Sequence, residues 1–183
     1  DNRVAVFFAD GCEEIEGLTV VDLLFRAGIP CDMVSVSDSY QVTSSHEVTF
    51  LCNKLISEVD INAYAMLVLP GGIPGTPNLA ATDSLMQAVD TFAAQGKPLA
   101  AICAAPSIYA ERGLLSGVRA TANPGFQHVL VEKGALLSKD PVVVDGPFIT
   151  SQGAGTAVAF GLEIVRYFLG DAAVLRVRDG IAL

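Results

Sequence analysis

The sequence predicts a single α/β domain with a mainly parallel central sheet and helices on both faces. Its 183 residues correspond to about one domain. Hydrophobic residues make up 51% of the chain and charged residues 17%, a balance that excludes a disordered polypeptide. Short apolar segments of strand length alternate with longer segments of helical period, as βαβ units require. We therefore expect one core and no domain boundary within residues 1–183.

The strands are predicted from apolar runs that are bounded by turn residues. They are expected at Val4–Phe8, Asp32–Val36, Ala65–Leu69, Leu99–Ile102 and Val118–Thr121, with a hairpin within residues 37–47 and a second across Val142–Val144 and Phe148–Thr150. The helices are predicted from apolar residues at helical spacing. They are expected at Glu14–Ala27, from an N-cap at Asp83 to Gly96, and at Ala104–Glu111, Pro124–Lys133, Thr156–Leu169 and Asp171–Asp179.

The charge balance argues against nucleic acid or a membrane as a general partner. Twenty Asp and Glu against 11 Lys and Arg leave a formal charge of -9, which repels phosphate backbones and anionic lipid. The basic residues are scattered singly along the chain rather than clustered. The longest uncharged stretch, residues 61–82, contains three prolines and a Gly-Gly pair, so it does not read as a membrane-spanning helix.

The cysteine and histidine pattern argues against a metal site. The four cysteines are widely spaced, no CxxC pair occurs, and only two histidines are present, so zinc-finger and zinc-ribbon spacings are absent. The residues before the first predicted strand show no secretory signal pattern, so we expect none. We expect a cytoplasmic protein with free thiols and no bound metal.

The segment around Cys103 is the strongest candidate for chemistry. A strand runs directly into Cys103, and Ala101 and Ala105 occupy the positions that glycine takes in a nucleophile elbow. A cysteine at the start of a helix meets free backbone N–H groups, which lower the pKa of a thiol. The alternative is a buried cysteine that acts as a small hydrophobic residue, the default that we assign to Cys12, Cys31 and Cys52.

A glycine-rich turn follows the predicted strand that ends at Leu69. The sequence Pro70-Gly-Gly-Ile-Pro-Gly lies at the carboxyl end of that strand, where ligands gather in open α/β sheets. If the N–H groups of Gly72 and Ala104 converge near the Cys103 sulfur, they form an oxyanion hole. An ordinary tight turn explains the same glycines, and no phosphate-binding loop motif occurs in the chain.

Three carboxylates begin the first predicted helix. A helical wheel places Glu13, Glu14 and Glu16 on its apolar side, with Glu16 in line with the core positions. Partial burial beside a thiolate would raise the pKa of such a carboxyl and make it a proton donor. Acidic residues also favour the first turn of any helix, and the wheel does not choose among the three. The two histidines, His46 and His128, are expected to be solvated rather than paired with the cysteine.

Four stretches together resemble the ThiJ/PfpI superfamily, in the branch of the Parkinson-disease-associated protein deglycase and its bacterial relatives. They are Ala9-Asp-Gly-Cys-Glu-Glu-Ile-Glu16, Leu67-Val-Leu-Pro-Gly-Gly72, Ala100-Ala-Ile-Cys-Ala-Ala-Pro106 and Ile149-Thr-Ser-Gln-Gly-Ala-Gly-Thr156, in family order and spacing. The resemblance covers nearly the whole chain. It implies a flavodoxin-like α/β sandwich that commonly dimerises and whose cysteine needs no cofactor.

The resemblance also implies roles for individual residues. Cys103 matches the family's reactive, oxidation-sensitive cysteine, and Glu16 matches the protonated carboxylic acid that hydrogen-bonds it. Gly72 and Ala104, with the adjoining Gly71, match the backbone that lines the oxyanion site. Glu13 matches an acid near the pocket and the dimer contact.

Two positions depart from the family pattern. Asn123 stands where the deglycase branch often has a pocket histidine, and His46 stands at the position of a hairpin arginine. The first departure disfavours a protease-like Cys–His site. The second disfavours recognition of a carboxylate or phosphate at the hairpin.

The function implied is that of a cysteine-dependent, cofactor-free deglycase or glyoxalase. Its substrates would be methylglyoxal-like α-oxoaldehydes or their adducts on proteins and nucleotides, handled by a homodimer. The alternative is a redox-sensing protein of the oxidative-stress response, or a chaperone-like one, that uses an oxidisable Cys103. An intracellular cysteine peptidase ranks third because no histidine is matched to the cysteine.

Overall fold

The computed structural model describes residues 1–183 and contains eleven strands and seven α-helices. The strands are β1 (Val4–Phe8), β2 (Cys31–Ser35), β3 (Gln41–Thr43), β4 (Thr49–Leu51), β5 (Lys54–Leu55), β6 (Met66–Leu69), β7 (Leu99–Ile102), β8 (Arg119–Ala120), β9 (Leu136–Leu137), β10 (Val142–Asp145) and β11 (Phe148–Ser151). The helices are α1 (Glu14–Ala27), α2 (Gly75–Ala80), α3 (Asp83–Ala94), α4 (Pro106–Glu111), α5 (Gln127–Glu132), α6 (Ala157–Leu169) and α7 (Asp171–Gly180).

A seven-stranded sheet in the order β10-β11-β7-β6-β1-β2-β5 forms the centre of the protein. Every neighbouring pair is parallel except β10 and β11, which form the antiparallel hairpin predicted across Val142–Val144 and Phe148–Thr150. Two small sheets, β3-β4 and β8-β9, lie outside it. The predicted α/β class with a mainly parallel sheet is confirmed.

Side chains on the two faces of the sheet enter two separate hydrophobic clusters. In β1, Ala5 and Phe7 pack with α2, α3, α4 and α5, whereas Val4, Val6 and Phe8 pack with α1, α6 and α7. Successive residues of a strand point to opposite faces, so a strand with helices on both sides must be apolar throughout. All five residues of β1 are buried, as are all four of β6 and of β7.

In the second helical region one predicted feature is wrong and one helix was not predicted. Asp83 is the first residue of α3 rather than its N-cap, because the extended backbone that defines an N-cap falls on Thr82. The segment after Gly72 is not only a turn, since α2 begins at Gly75. Pro77 lies in the first turn of α2, where a missing N–H leaves no helical hydrogen bond unmade.

The sheet brings three loops together at one edge. The strands β7, β6 and β1 are adjacent and parallel, so their carboxyl ends, at Ile102, Leu69 and Phe8, face the same way. The residues that follow these ends include the elbow cysteine, the Gly-Gly turn and the start of α1.

No helix of the protein has the length and apolar character that crossing a lipid bilayer demands.

The first helix packs unusually close to β1. A Cβ atom added to Gly17 would lie 2.3 Å from Cε1 and 2.9 Å from Cζ of Phe8, whose ring is fully buried. Because a buried ring in a close-packed core has little room to move, only glycine permits this approach. The contact fixes how near the first turn of α1, with its carboxylates, lies to the sheet.

The substitution Gly17→Ala should therefore destabilise the protein by about 1–3 kcal/mol through overpacking against Phe8. Urea denaturation measures the change. Gly180→Ala is the matched control, because Gly180 also lies in a helix and a Cβ there meets nothing closer than Arg26 Nη1 at 4.0 Å. An unchanged free energy of unfolding in Gly17→Ala would contradict the close approach.

Candidate active site

Cys103 lies at a sharp turn between β7 and α4. It has a φ of 68°, in the left-handed region that side-chain-bearing residues seldom adopt. Two backbone hydrogen bonds hold the turn: Cys103 N–H donates to the Ser151 carbonyl at 3.0 Å, and the Cys103 carbonyl accepts from Asn123 N–H at 2.8 Å. The side chain is half-buried and the thiol is free.

The Gly-Gly turn after β6 fits tightly between the elbow and α1. A Cβ on Gly71 would lie 2.7 Å from Cys103 Cβ and 2.8 Å from Glu16 Oε1. Gly72 has a φ of 92°, and a Cβ there would lie 2.4 Å from the Glu13 backbone nitrogen. Glycine is therefore required at both positions by space, and at Gly72 also by the backbone conformation.

Glu16 is buried against this turn. It lies in the first turn of α1 with only 1% of its surface exposed. Its Oε1 accepts a hydrogen bond from Gly71 N–H at 3.0 Å, and its carboxyl lies within hydrogen-bonding range of the Cys103 thiol. The structure thus brings the strongest nucleophile candidate and one of the three carboxylates into contact.

The backbone N–H groups of Gly72 and Ala104 act on the Cys103 sulfur as donors that lower the pKa of its thiol. Ala104 belongs to the turn rather than to a helix, because α4 begins only at Pro106. The elbow therefore supplies N–H donors without a full helix end behind the cysteine. Such paired donors are the form that an oxyanion site takes.

Burial dominates the electrostatics of the pair. Burial raises the pKa of Glu16 above its ordinary value, although the hydrogen bonds from Cys103 and Gly71 lower it. Burial, followed by the charge and hydrogen bond of Glu16, raises the pKa of the Cys103 thiol to about 12. The N–H groups of Ala104 and Gly72 lower the thiol pKa as expected, but burial outweighs them, so the expectation of a lowered pKa is wrong in sign.

The pKa of the thiol does not single out Cys103. Burial also raises the pKa of Cys12, Cys31 and Cys52 to about 12. None of these three lies at a left-handed turn or within hydrogen-bonding range of a buried acid. The surroundings of Cys103, rather than its ionisation alone, make it the candidate nucleophile.

A second carboxylate cluster adjoins the site. Glu13 caps α1 by accepting from Ile15 N–H at 2.8 Å, and burial, with a hydrogen bond to Glu14, raises its pKa to about 7. Hydrogen bonds from Glu13 and His46 lower the pKa of Glu14 to about 2. His46 Nδ1 lies 2.8 Å from Glu14 Oε2, and this contact raises the pKa of the imidazole.

The Glu14–His46 contact was not predicted, because His46 was expected to be solvated and Glu14 was placed on the apolar side of the helix. It depends on the β3-β4 hairpin, which docks on the start of α1 through Gly11 N–H to the Thr43 carbonyl and Ser45 N–H to the Cys12 carbonyl. Nothing in the local sequence specifies that docking. The ligand atoms of Glu13, Glu14 and His46 lie within 4.8 Å of one another, close enough to share a metal ion, but these groups already hydrogen-bond one another.

Asn123 lies on another side of the Glu16 carboxyl. A Cβ on Gly153 would lie 3.6 Å from Asn123 Nδ2 and 4.0 Å from Glu16 Oε2, so the amide and the acid flank the same glycine. Asn123 Oδ1 is held by Gly125 N–H at 3.0 Å. Asn123 therefore presents an amide, which carries no titratable proton, on this side of the site. His128 is exposed on α5.

Comparison with known proteins agrees with this fold and identifies the family. The model of the DJ-1/PfpI family matches residues 2–167, and the chain belongs to that family. It is 36% identical over 169 residues to Protein DJ-1 homolog B of Arabidopsis thaliana, covering 92% of this chain but only 38% of that protein. It is 31% identical to the glutathione-independent glyoxalase DJ-1 of Schizosaccharomyces pombe, covering 89% of each. The solved structure of oxidized Toxoplasma gondii DJ-1 superimposes with a TM-score of 0.94 at 31% identity, covering 100% of this chain and 98% of that one.

The raised pKa of Glu13 predicts a distinct pH dependence of stability. A carboxyl whose pKa is raised on folding stabilises the protein when protonated and loses that contribution as pH rises from about 4.5 to about 7. Glu13→Gln keeps an oxygen for the Ile15 N–H and an amide donor for Glu14 while removing the titration. The free energy of unfolding of the variant, relative to that of wild type, should rise by about 1–3 kcal/mol when the pH is raised from 4.5 to 8.

Urea denaturation of both proteins at pH 4.5 and 8 measures this difference. Glu163→Gln, on α6, is the control and should show no such pH-dependent gain. A Glu13→Gln protein whose stability relative to wild type is the same at both pH values would contradict the raised pKa.

Proposed function

We propose that the protein is a cysteine-dependent, cofactor-free enzyme of the glyoxalase or deglycase type. Its substrates are small α-oxoaldehydes such as methylglyoxal, or their adducts on proteins and nucleotides. The observation that carries the proposal is the buried Glu16 carboxyl between Gly71 N–H and the Cys103 thiol. The S. pombe relative named as a glutathione-independent glyoxalase supports the same class of reaction.

In the reactive form, Cys103 is a thiolate and Glu16 a neutral acid. Burial disfavours two negative charges side by side, so the pair ionises at one group at a time. When Glu16 is neutral its charge no longer raises the thiol pKa, and its O–H can donate to the sulfur. The N–H groups of Gly72 and Ala104 then stabilise the thiolate.

The reaction begins with attack of the thiolate on the aldehyde carbon. A C–S bond forms, the carbonyl π electrons move to oxygen, and Glu16 delivers its proton to give a hemithioacetal. The N–H groups of Gly72 and Ala104 hold the oxygen while it is negative. Glu16 is left as a carboxylate, ready to act as a base.

Glu16 then moves a proton between adjacent carbons. It removes the C–H proton from the former aldehyde carbon to give an enediolate and returns that proton to the neighbouring carbon. The hydroxyl proton passes from the first oxygen to the second, which leaves a thioester of a 2-hydroxy acid. Water hydrolyses the thioester and releases the acid and the thiol. The sum is aldehyde plus water to 2-hydroxy acid, with no external oxidant or reductant, so no cofactor enters the scheme.

The substitution Cys103→Ser should abolish cofactor-free formation of lactate from methylglyoxal, because no C–S bond can form. Lactate is measured with wild type and with Cys31→Ser, a matched control at a half-buried cysteine on β2 away from the elbow. The control should retain the wild-type rate. Equal rates in wild type and Cys103→Ser would refute the proposal.

The substitution Glu16→Gln should lower kcat for the same reaction by about 10²–10⁴-fold, the usual contribution of a general acid–base. The amide oxygen still accepts from Gly71 N–H, so the fold is preserved while the proton is lost. Circular dichroism checks the fold, and Glu163→Gln again serves as control. A Glu16→Gln variant with wild-type kcat would remove Glu16 from the mechanism.

The second candidate is a redox sensor in the oxidative-stress response. Cys103 is partly accessible, and the Toxoplasma relative was solved in a form described as oxidized. Two equivalents of hydrogen peroxide would convert the thiol to a sulfinic acid, adding two oxygens. Intact-mass detection of that gain at Cys103, in a protein with no aldehyde turnover, would favour this candidate over the enzyme.

A further inference from the structure

Gly153 leaves an open gap beside the Glu16 carboxyl. A Cβ atom there would lie 3.6 Å from Asn123 Nδ2 and 4.0 Å from Glu16 Oε2, and apart from its two chain neighbours nothing else comes within 4 Å. At Gly71 and Gly72, by contrast, neighbouring atoms exclude a Cβ. The φ of Gly153, 167°, is extended backbone that any residue adopts. Neither packing nor conformation therefore requires glycine here, and what the absent side chain provides is space.

The loop that carries Gly153 is held firmly in place. Gly153 N–H donates to Thr156 Oγ1 at 3.1 Å, and the Gly153 carbonyl accepts from Thr156 N–H at 2.9 Å. The preceding residue, Gln152, donates from Nε2 to the carbonyls of Lys139 and Asp140 at 2.6 and 3.1 Å. The gap is therefore a preorganised part of the site, as recognition of one substrate atom demands.

Asn123 directs an unused donor at this gap. Its Oδ1 accepts from Gly125 N–H at 3.0 Å, which identifies the oxygen end of the amide and leaves Nδ2 as the end beside Gly153. Nδ2 makes no hydrogen bond within the protein and is not among its unpartnered polar atoms that are closed off from solvent. The donor is therefore accessible. Asn123 N–H also donates to the Cys103 carbonyl, so the residue is attached to the elbow itself.

The gap is bordered by two groups that donate hydrogen bonds. Asn123 Nδ2 carries N–H donors, and Glu16, in the neutral form of the proposed mechanism, carries an O–H. Two donors select an acceptor oxygen, most strongly one that gains negative charge. In an α-oxoaldehyde joined to Cys103 the keto oxygen is three bonds from the sulfur, and Glu16 adjoins both the thiol and the gap. The keto oxygen is the substrate atom that fits these surroundings.

We propose that the gap at Gly153 is the subsite for the keto oxygen of the α-oxoaldehyde, and that Asn123 Nδ2 donates a hydrogen bond to this oxygen. The inference deepens the proposed function and rests on it. When Glu16 removes the C–H proton of the hemithioacetal, the electron pair of that bond forms a C=C bond and the ketone π electrons move to the keto oxygen. Asn123 stabilises this negative oxygen without giving up a proton, until the oxygen takes the hydroxyl proton. Asn123 is thereby a catalytic residue.

The substitution Gly153→Ala tests the subsite by filling it. Its new methyl group makes only ordinary van der Waals contacts, so Tm should stay at the wild-type value. The methyl occupies the place of the keto oxygen, so kcat/KM for methylglyoxal should fall about 10²-fold. Gly155→Ala is the matched control in the same loop, where a Cβ meets nothing within 4 Å, and it should behave as wild type does. A wild-type kcat/KM in Gly153→Ala, or a lowered Tm, would overturn the subsite.

The substitution Asn123→Ser tests the donor. Serine keeps an oxygen for Gly125 N–H but does not reach the gap, so kcat for methylglyoxal should fall about 10²-fold, as on loss of one oxyanion donor. An unchanged kcat would exclude Asn123 from the reaction.

A binding measurement separates the subsite from the proposed turnover. Methylglyoxal and propanal have the same carbon chain, but propanal lacks the keto oxygen, and either aldehyde bound to Cys103 slows alkylation of the thiol by iodoacetamide. In Asn123→Ser, protection by methylglyoxal should require about 2- to 13-fold more aldehyde, the worth of one hydrogen bond, whereas protection by propanal should not change. This difference without lactate formation would refute the proposed function and retain the subsite. Equal changes for both aldehydes, or no protection of wild type by methylglyoxal, would overturn the subsite itself.

Discussion

The contact between a buried carboxyl and a half-buried thiol is the constraint on which the rest of the site depends. Glu16 and Cys103 both lie where burial penalises a negative charge, and each charge further penalises the other. The pair can therefore hold one negative charge far more readily than two. In the mechanism that we propose, Cys103 carries that single charge and Glu16 holds the proton, without a histidine.

The surrounding backbone is built to allow that contact. Three neighbouring parallel strands end at the same edge, and the chain leaving each one contributes part of the site. The left-handed Cys103 turns the thiol toward Glu16, and the absence of a side chain on Gly71 leaves room for both. On the far side, Gly17 lets α1 approach the sheet closely enough for Glu16 to reach the turn. A left-handed residue and close backbone packing thus coincide where the chemistry is proposed, as at other strained functional sites.

The sequence allowed the fold class and much of the site to be predicted. Alternating apolar runs predicted β1, β7 and α1 with bounds that the structure reproduces, because strands buried on both faces and an amphipathic helix leave strong periodic signals. The elbow at Cys103 was recognisable from its small neighbours. The helical wheel could place Glu16 toward the sheet but could not select it over Glu13 and Glu14, since distance to the thiol depends on how α1 packs.

The features that were missed arise from contacts between distant segments. The helix α2 was hidden by its glycine and proline content, and the Glu14–His46 contact depends on a hairpin docked more than 25 residues along the chain. The sign of the Cys103 pKa shift was missed because the local N–H groups are visible in the sequence, whereas burial is a property of the assembled core. Asn123 shows the same limit, since only the fold places its amide beside the carboxyl.

The proposed mechanism requires Glu16 to be protonated at neutral pH. Infrared difference spectroscopy between wild type and Glu16→Gln isolates the signal of this one carboxyl. We predict that the difference spectrum at pH 7 contains the carbonyl stretch of a protonated carboxylic acid. A spectrum that shows only the carboxylate bands of Glu16 at that pH would contradict a neutral Glu16 beside the Cys103 thiolate and the mechanism that depends on it.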